Sequence, residues 1–321
     1  MDETKPRVAV TMGDPAGIGP EICAKALIDP QVRETCDPIL VGSAAIFRQT
    51  CESLELTGEL LAHNQQIVDE GDIHEFELGV DAGRTGKASA QYIEKAVNLW
   101  QAGKVDAIAT APISKKAISL AGYEFPGHTE FLAHLTGTKR VGMSFFAGDL
   151  RVILLSTHLS LIDAIKKVTR ENLLELIQFS SIELGKLLGR QPKLAVAGLN
   201  PHASEGGMFG LEETSQIEPA VKQAGENGID VSGPYSPDTI FLRCYRGEFD
   251  AVIALYHDQA TISVKAFSFG SAVNVTLGLP LIRTSVDHGT AFDIAGKGIA
   301  DASSMISAIK LAADLVRTNH R

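Results

Sequence analysis

The chain has no CxxC pair, no local His/Cys metal spacing, no apolar run approaching about 18 residues, and no internal repeat or low-complexity tract. Each absence excludes a class. Cys23, Cys36, Cys51 and Cys244 stand singly and read as reduced thiols of a cytoplasmic protein, not as a disulfide framework or a zinc knuckle. The start, Met1-Asp2-Glu3-Thr4-Lys5, is no secretory leader, and the lack of a long apolar run argues against a membrane span. Positive charge is in deficit: 29 Lys and Arg against 39 Asp and Glu give a net charge of −10. A nucleic-acid surface needs clustered Lys and Arg, so no nucleic-acid partner is expected. A small phosphate can bind such a protein only through a local basic pocket.

What is present is a recurring alternation. Short strand-type apolar runs occur at Arg7–Thr11, Pro38–Val41, Val105–Thr110, Val141–Phe146, Val152–Ser156, Leu194–Leu199, Ala251–Tyr256 and Ala272–Leu277. Helix-period segments such as Ala88–Gln101, Glu171–Leu188, Glu212–Glu226 and Ser303–Arg317 lie between many of them. This alternation predicts an α/β fold with a largely parallel sheet. The 321 residues suffice for two lobes, and with no linker between them the chain is expected to cross over and return.

Ligands of open α/β sheets sit outside the carboxyl ends of strands, so polar residues just after apolar runs carry the most information. His158, His202, His257 and His288 all hold such places. One such histidine alone is explained as well by a hydrogen-bonded loop side chain. Several together suggest a metal site, because neutral imidazole is the commonest metal ligand and three leave a position open for substrate. Lys265, Asn274 and Arg283 lie close in sequence and suit a phosphate dianion; solvated surface charge is the alternative for the two cations. In Pro126-Gly127-His128-Thr129-Glu130 a turn opens a helix, where free N–H groups favour an anion, or where Thr129 serves as a plain helix cap. The glycines of Gly13-Asp14-Pro15-Ala16-Gly17-Ile18-Gly19-Pro20-Glu21 allow a tight β-to-α turn. This is not GxGxxG, and no GxGxxG dinucleotide fingerprint follows any strand.

These residues together resemble a known family. GDPAGIGPE and HGTAFDIAGKGIAD are similar to loops of the isocitrate and isopropylmalate dehydrogenase superfamily. More closely, VTMGDPAGIGPE, APISKKA, PGHTEFLA, GLNPHASEGG, YHDQ, NVTLGLP and IRTSVDHGTA, in order from residue 8 to about residue 312, resemble the 4-hydroxythreonine-4-phosphate dehydrogenase family, PdxA. The resemblance implies a two-lobed α/β/α fold over residues 1–321 with its active site in the cleft between lobes, and a homodimer that shares that site. It implies a divalent metal (zinc, magnesium, manganese or cobalt) on His158, His202 and His257. Substrate phosphate is implied at His128, Thr129, Lys265, Asn274 and Arg283. NAD, or NADP, is implied against Asp287, His288, Gly289, Thr290 and Ala291.

Departures from the family pattern bear on the substrate. Ser204-Glu205-Gly206-Gly207 is followed by Met208-Phe209-Gly210, and His257-Asp258 by Gln259-Ala260-Thr261-Ile262. The first is more similar to the branch that oxidises D-threonate or D-erythronate 4-phosphate than to the enzymes of pyridoxal phosphate biosynthesis; the second differs from the usual glycine-containing continuation, and both bear on which acid is the substrate. Arg283 and His128-Thr129 argue against the branch acting on unphosphorylated terephthalate dihydrodiol. A phosphate acyltransferase, related in fold, is the more distant reading. Asp238, Asp258 and Lys115 are the candidate groups to take the proton released on oxidation, or to serve as caps and surface charges.

Overall fold

A computed structural model describes residues 5–319 apart from 63, 64, 72, 74 and 269. Met1–Thr4, read above for the absence of a leader, lie outside the described residues, as does Phe269 of the Lys265–Arg283 stretch. Among the described residues eleven strands alternate with helices. They are β1 (Arg7–Thr11), β2 (Asp37–Gly42), β3 (Gln66–Asp69), β4 (Ala107–Thr110), β5 (Gly142–Ala147), β6 (Leu150–Leu154), β7 (Leu194–Ala197), β8 (Val231–Tyr235), β9 (Ala251–Ala254), β10 (Val273–Leu277) and β11 (Ile282–Val286).

The chain forms two compact units. One takes the described residues up to Val141 together with those from Leu279 onward, and the other spans Gly142–Gly278. In the first unit the order is β3-β2-β1-β4-β11, parallel throughout. Its central strands are buried on both faces: Val8, Ala9, Val10, Ala107, Ile108 and Ala109 are fully enclosed. That is why they read as continuous apolar runs instead of alternating ones. In the second unit the order is β10-β5-β6-β9-β7-β8. The pairs among β6, β9, β7 and β8 are parallel, while β10–β5 and β5–β6 are antiparallel. The β5–β6 exception follows from the two-residue turn Gly148-Asp149, with Gly148 at φ 59°, since so short a link joins only antiparallel neighbours.

Helices cover the strands for legible reasons. In Arg170–Leu188 the buried Leu173, Leu176, Ile177, Ser180 and Leu184 recur on one face. Thr169 caps its start by accepting the Asn172 amide, and Gly189, at φ 65°, ends it in the left-handed region. The segment expected as one helix over Glu212–Glu226 divides into a π-helical turn, Glu213–Ile217, and the helix Glu218–Glu226. Strand ends also fall short of expectation. The β9 strand stops at Ala254, and His257 begins the helix His257–Ser268.

One glycine fixes a helix contact that matters for the site. The helix Gly83–Gln101 lies against Lys115–Leu120, and a Cβ on Gly86 would stand 2.0 Å from the Ala117 carbonyl oxygen. On an open helix face Gly→Ala gains about 1 kcal/mol. Here the overlap with backbone reverses the sign, and Gly86→Ala is expected to destabilise by about 1–3 kcal/mol, read as a lower urea midpoint. A stabilised variant would show that the two helices part without cost.

Candidate active site

The second unit carries the three histidines at one sheet edge. Strands β6, β9 and β7 are adjacent and parallel, with Leu154 opposite Ala254 and Val196 opposite Ile253, so their carboxyl ends face the same way. His158, His257 and His202 follow those three ends. Side-chain amides and hydroxyls tie the ends together. Gln259 accepts the Leu255 amide at 2.8 Å and donates to the Gly198 carbonyl at 2.8 Å, and Ser156 donates to the Leu255 carbonyl at 3.0 Å. The His158 and His257 rings lie 5.8 Å apart, centroid to centroid. His257 Nδ1 shares a 2.8 Å hydrogen bond with Asp258, which leaves Nε2 as its outward nitrogen. Asp258 is 73% exposed, so its visible work is orienting an imidazole.

His202 sits in a strained turn. His202, Ala203, Ser204 and Glu205 have φ between 45° and 69°, and Gly206 and Gly207 continue the positive run. Left-handed conformation costs a non-glycine residue about 1–2 kcal/mol, so this turn persists only under restraint. The restraint is visible. Fully buried Glu213 accepts the amides of Leu199 at 2.8 Å and Asn200 at 2.7 Å, together with the Asn200 side-chain amide at 2.8 Å. The Ser204 carbonyl accepts from Gly207 and Met208, and the Ser204 hydroxyl donates to the Gly210 carbonyl.

The first unit holds a buried cation. Arg283 lies within β11 opposite Ile108, is 2% exposed, and donates from Nη2 to Thr110 Oγ1 at 2.7 Å. Burial pulls its guanidinium down to about 9, against an opposing pull from Glu130. His128 opens the helix His128–Thr136, and its Nε2 is enclosed with no hydrogen-bond partner among the described residues. Burial, and then the Arg283 charge, holds its imidazole well below the usual histidine range. A neutral imidazole thus lies beside a desolvated guanidinium, a pair whose chemistry an anion would complement. The helix is preceded by Gly127, which offers no side-chain cap. Thr129 is accordingly inside the first turn and is not the cap. Lys115 is exposed at the start of its helix, its Cε 3.8 Å from where a Cβ on Gly127 would stand.

Not every candidate joins these groups. Lys265 is exposed in the last turn of the helix that His257 begins. Asn274 lies on β10 opposite Phe145, with Oδ1 enclosed and without a partner among the described residues. Both belong to the second unit, whereas His128, Thr129 and Arg283 belong to the first. Asp238 is exposed near the start of the helix Pro237–Tyr245 and accepts from the Ser236 hydroxyl. The three histidines do not close into a ligand cluster: among the described residues no group of three His, Cys, Asp or Glu is placed to hold a metal ion. The chemistry of the donors still fits a divalent cation, with two imidazoles at the spacing of neighbours and the third on its own held loop.

The two glycine-bearing loops of the first unit pack on one another. The Ile18 amide donates to the Thr290 carbonyl at 3.0 Å, and a Cβ on Gly17 would stand 2.8 Å from that oxygen. Buried Glu21 accepts the amides of Gly298 and Ala300 and pairs with Lys25 at 2.8 Å. Asp287 accepts from Ser304, and the His288 Nδ1–H donates to the Gly289 carbonyl at 3.0 Å. His288 Nε2 is left enclosed and without a partner among the described residues. Ala291 stands at φ 42°. A cavity of about 520 Å³ opens on this side, reached by Gly17, Gln49, Thr50, Phe76, Gly296 and Gly298. The four cysteines are unpaired and buried, and burial pushes the Cys36 and Cys51 thiols up to about 12, so no cysteine is poised as a nucleophile. Glu213, Gln259 and Thr110 escaped the sequence reading. Nothing distinguishes a buried Glu, Gln or Thr in sequence; Thr110 and Gln259 at least lie at or near a strand end, whereas Glu213 lies far from one.

Fold and side chains thus define a two-unit α/β protein with a buried arginine beside an enclosed imidazole nitrogen in one unit and a histidine edge in the other. The chain belongs to the PdxA family: the model for pyridoxal phosphate biosynthetic protein PdxA matches residues 34–312. It is 45% identical over 333 residues to the 4-hydroxythreonine-4-phosphate dehydrogenase of Geobacter metallireducens, covering 99% of this chain and 97% of that protein. It is 42% identical over 335 residues to the D-threonate 4-phosphate dehydrogenase of Cupriavidus necator, covering 98% of each. The solved 4-hydroxythreonine-4-phosphate dehydrogenase from Klebsiella pneumoniae matches with a TM-score of 0.87 and 39% identity, over 97% of this chain and 100% of that one.

The pocket makes a pH prediction. The folded His128 pKa lies below the unfolded value of about 6.5, so folded protein binds fewer protons there. The stability due to this group is present above pH 6.5 and is lost as pH falls toward the folded value. His128 ring resonances are expected not to titrate between about pH 7.5 and 6 without ligand, and inorganic phosphate is expected to raise the pKa. A titration near pH 6.5 in the free protein would refute the burial of a neutral ring.

Proposed function

We propose that the protein is a divalent-metal-dependent NAD or NADP dehydrogenase that oxidises the hydroxyl of a four-carbon, 4-phosphorylated hydroxy acid, with decarboxylation of the keto-acid product. The observation that carries this reading is a buried Arg283 beside the enclosed His128 Nε2, a setting that suits a small anion in a protein of net charge −10. The names of the relatives agree with it, since two 4-phosphate dehydrogenases match this chain over nearly its whole length. The segment Met208-Phe209-Gly210 favours D-threonate or D-erythronate 4-phosphate as substrate. The relative from Geobacter metallireducens favours 4-hydroxy-L-threonine 4-phosphate as the second reading.

Each set of residues has a defined task in this reading. Arg283 and His128 bind the phosphate, with Thr129, Lys265 and Asn274 as further donors. His158, His202 and His257 would hold the cation, which when bound polarises the substrate hydroxyl and its developing carbonyl. Asp287–Ala291 would hold the nucleotide, which supplies the hydride acceptor. Among the described residues the 520 Å³ cavity against Gly17 and Gly296 is lined by two carboxylates, Glu21 and Glu75, and by no Lys or Arg, so it suits the nucleoside end and not the phosphates. Asp258 keeps His257 in one tautomer. The released proton goes to Asp238, Asp258 or Lys115, of which Lys115 lies beside the turn that presents His128.

The protein is further read as a cytoplasmic homodimer. Among the described residues no helix is long and apolar enough to cross a membrane. The segments carrying the histidines expose Leu161, Ile162, Met208, Phe209 and Leu211, and a second copy would cover such residues. Sedimentation velocity is expected to return two copies; a monomer at micromolar concentration contradicts this.

The deciding assay is NADH or NADPH formation from a panel of four-carbon acid 4-phosphates with several metals. D-threonate or D-erythronate 4-phosphate is expected to lead, and preference for 4-hydroxy-L-threonine 4-phosphate would reverse the branch. Chelation and His202→Ala are each expected to abolish turnover. Arg283→Ala is expected to cost the phosphorylated acid about 2–5 kcal/mol in transition-state binding while sparing unphosphorylated analogues. Equal losses on both would remove Arg283 from the phosphate site.

A further inference from the structure

We propose that Glu213, acting through Asn200, is the positioning residue of His202; the inference rests on the metal-dependent reading above and assigns a carboxylate that none of the candidate sites includes. Glu213 is fully buried, and its hydrogen bonds go to Leu199 and Asn200. Its Oε1 accepts two consecutive backbone amides, Leu199 and Asn200, just past the end of β7, and its Oε2 accepts the Asn200 side chain. The Asn200 amide nitrogen also donates to Glu212 at 2.8 Å, so one side chain is held between two carboxylates. Two residues later the chain enters the left-handed turn at His202.

The local backbone supports the same assignment. The π-helical turn Glu213–Ile217 follows Glu212 directly, and this irregular turn sets both carboxylates toward Asn200. Space around them is already filled. A Cβ on Gly210 would stand 2.5 Å from both Asn200 Nδ2 and Glu212 Oε2, and one on Gly198 would stand 3.0 Å from Ala203 Cα. A turn of four consecutive left-handed non-glycine residues has no intrinsic reason to stay. The buried carboxylate supplies one by satisfying the amides at its entrance. Removing that acceptor releases the turn and, with it, the direction of the His202 imidazole.

The test uses full-length protein, Glu213→Gln, and the exposed Glu218→Gln as a control that removes the same charge from the following helix. Cobalt(II) binding is read by calorimetry and by visible absorption, and amide exchange is followed over residues 199–210. Glu213→Gln is expected to weaken cobalt binding about 10–100-fold, shift the absorption bands, and speed exchange in that segment, while circular dichroism shows a folded protein. Glu218→Gln is expected to match wild type in all three. If Glu213→Gln folds, binds cobalt as wild type does, and keeps the exchange protection, the assignment is wrong. Should Glu213→Gln fail to fold, Asn200→Ala carries the same expectations and the same refutation. A wild-type protein that binds no cobalt overturns the metal reading instead, and the exchange comparison then decides the positioning by itself.

Discussion

The parallel pairing of β6, β9 and β7 is the constraint on which the histidine edge depends. Parallel neighbours send their carboxyl ends the same way, so residues that follow those ends share an edge whatever their separation in sequence. Reversing any one of these strands would carry its histidine to the opposite edge. The pairing alone does not hold the loops, because a strand end leaves amides and carbonyls that need partners. Gln259 meets that need twice, accepting from the end of one strand and donating to the loop after the next. The apolar runs therefore build the edge, and a few buried polar side chains fix its register.

The first unit uses burial in another way. An acidic protein has little long-range attraction for an anion, so affinity must come from a short-range cation with few water contacts. Setting Arg283 inside a parallel strand of the sheet provides this. Desolvation pulls the Arg283 guanidinium below its usual range, and burial together with the Arg283 charge keeps His128 neutral beside it. A dianion held there, as proposed, would reverse both effects, since it stabilises the protonated forms of each. Exposed pairs such as Lys166–Asp163 do no comparable work, because water already screens them.

The fold class was legible because parallel strands buried on both faces leave unbroken apolar runs, as in Val8–Val10 and Ala107–Ala109. Edge strands left a weaker mark. QIVD at β3 is short and half exposed, and VSGPY at β8 contains glycine and proline, which local reading assigns to turns. Strand-end histidines were legible from position. Their geometry was not, because the left-handed turn at His202 has no local signature in Pro201-His202-Ala203-Ser204-Glu205 and is imposed by Glu213 eleven residues further on. Burial of Arg283 was suggested by its apolar neighbours, but its partner Thr110 lies on a different strand and only the sheet brings them together.

The motif glycines divide from the ligand-facing residues on physical grounds. Gly13, Gly17 and Gly19 are needed because backbone occupies the space a side chain would take: a Cβ would stand 2.4 Å from the Pro112 oxygen, 2.8 Å from the Thr290 oxygen and 2.2 Å from the Met12 oxygen. They are packing glycines, and a ligand adds nothing to their explanation. His128, Asn274 and His288 behave oppositely, each enclosing a polar atom that the described residues leave without a partner. An unpaired buried acceptor or donor costs about 1–3 kcal/mol, and folding does not retain it without a compensating use. The same family likeness thus rests on two kinds of residue. The glycines explain why the loops have this shape, and the enclosed polar atoms of His128, Asn274 and His288 are where the proposed ligands would supply the partners the chain does not.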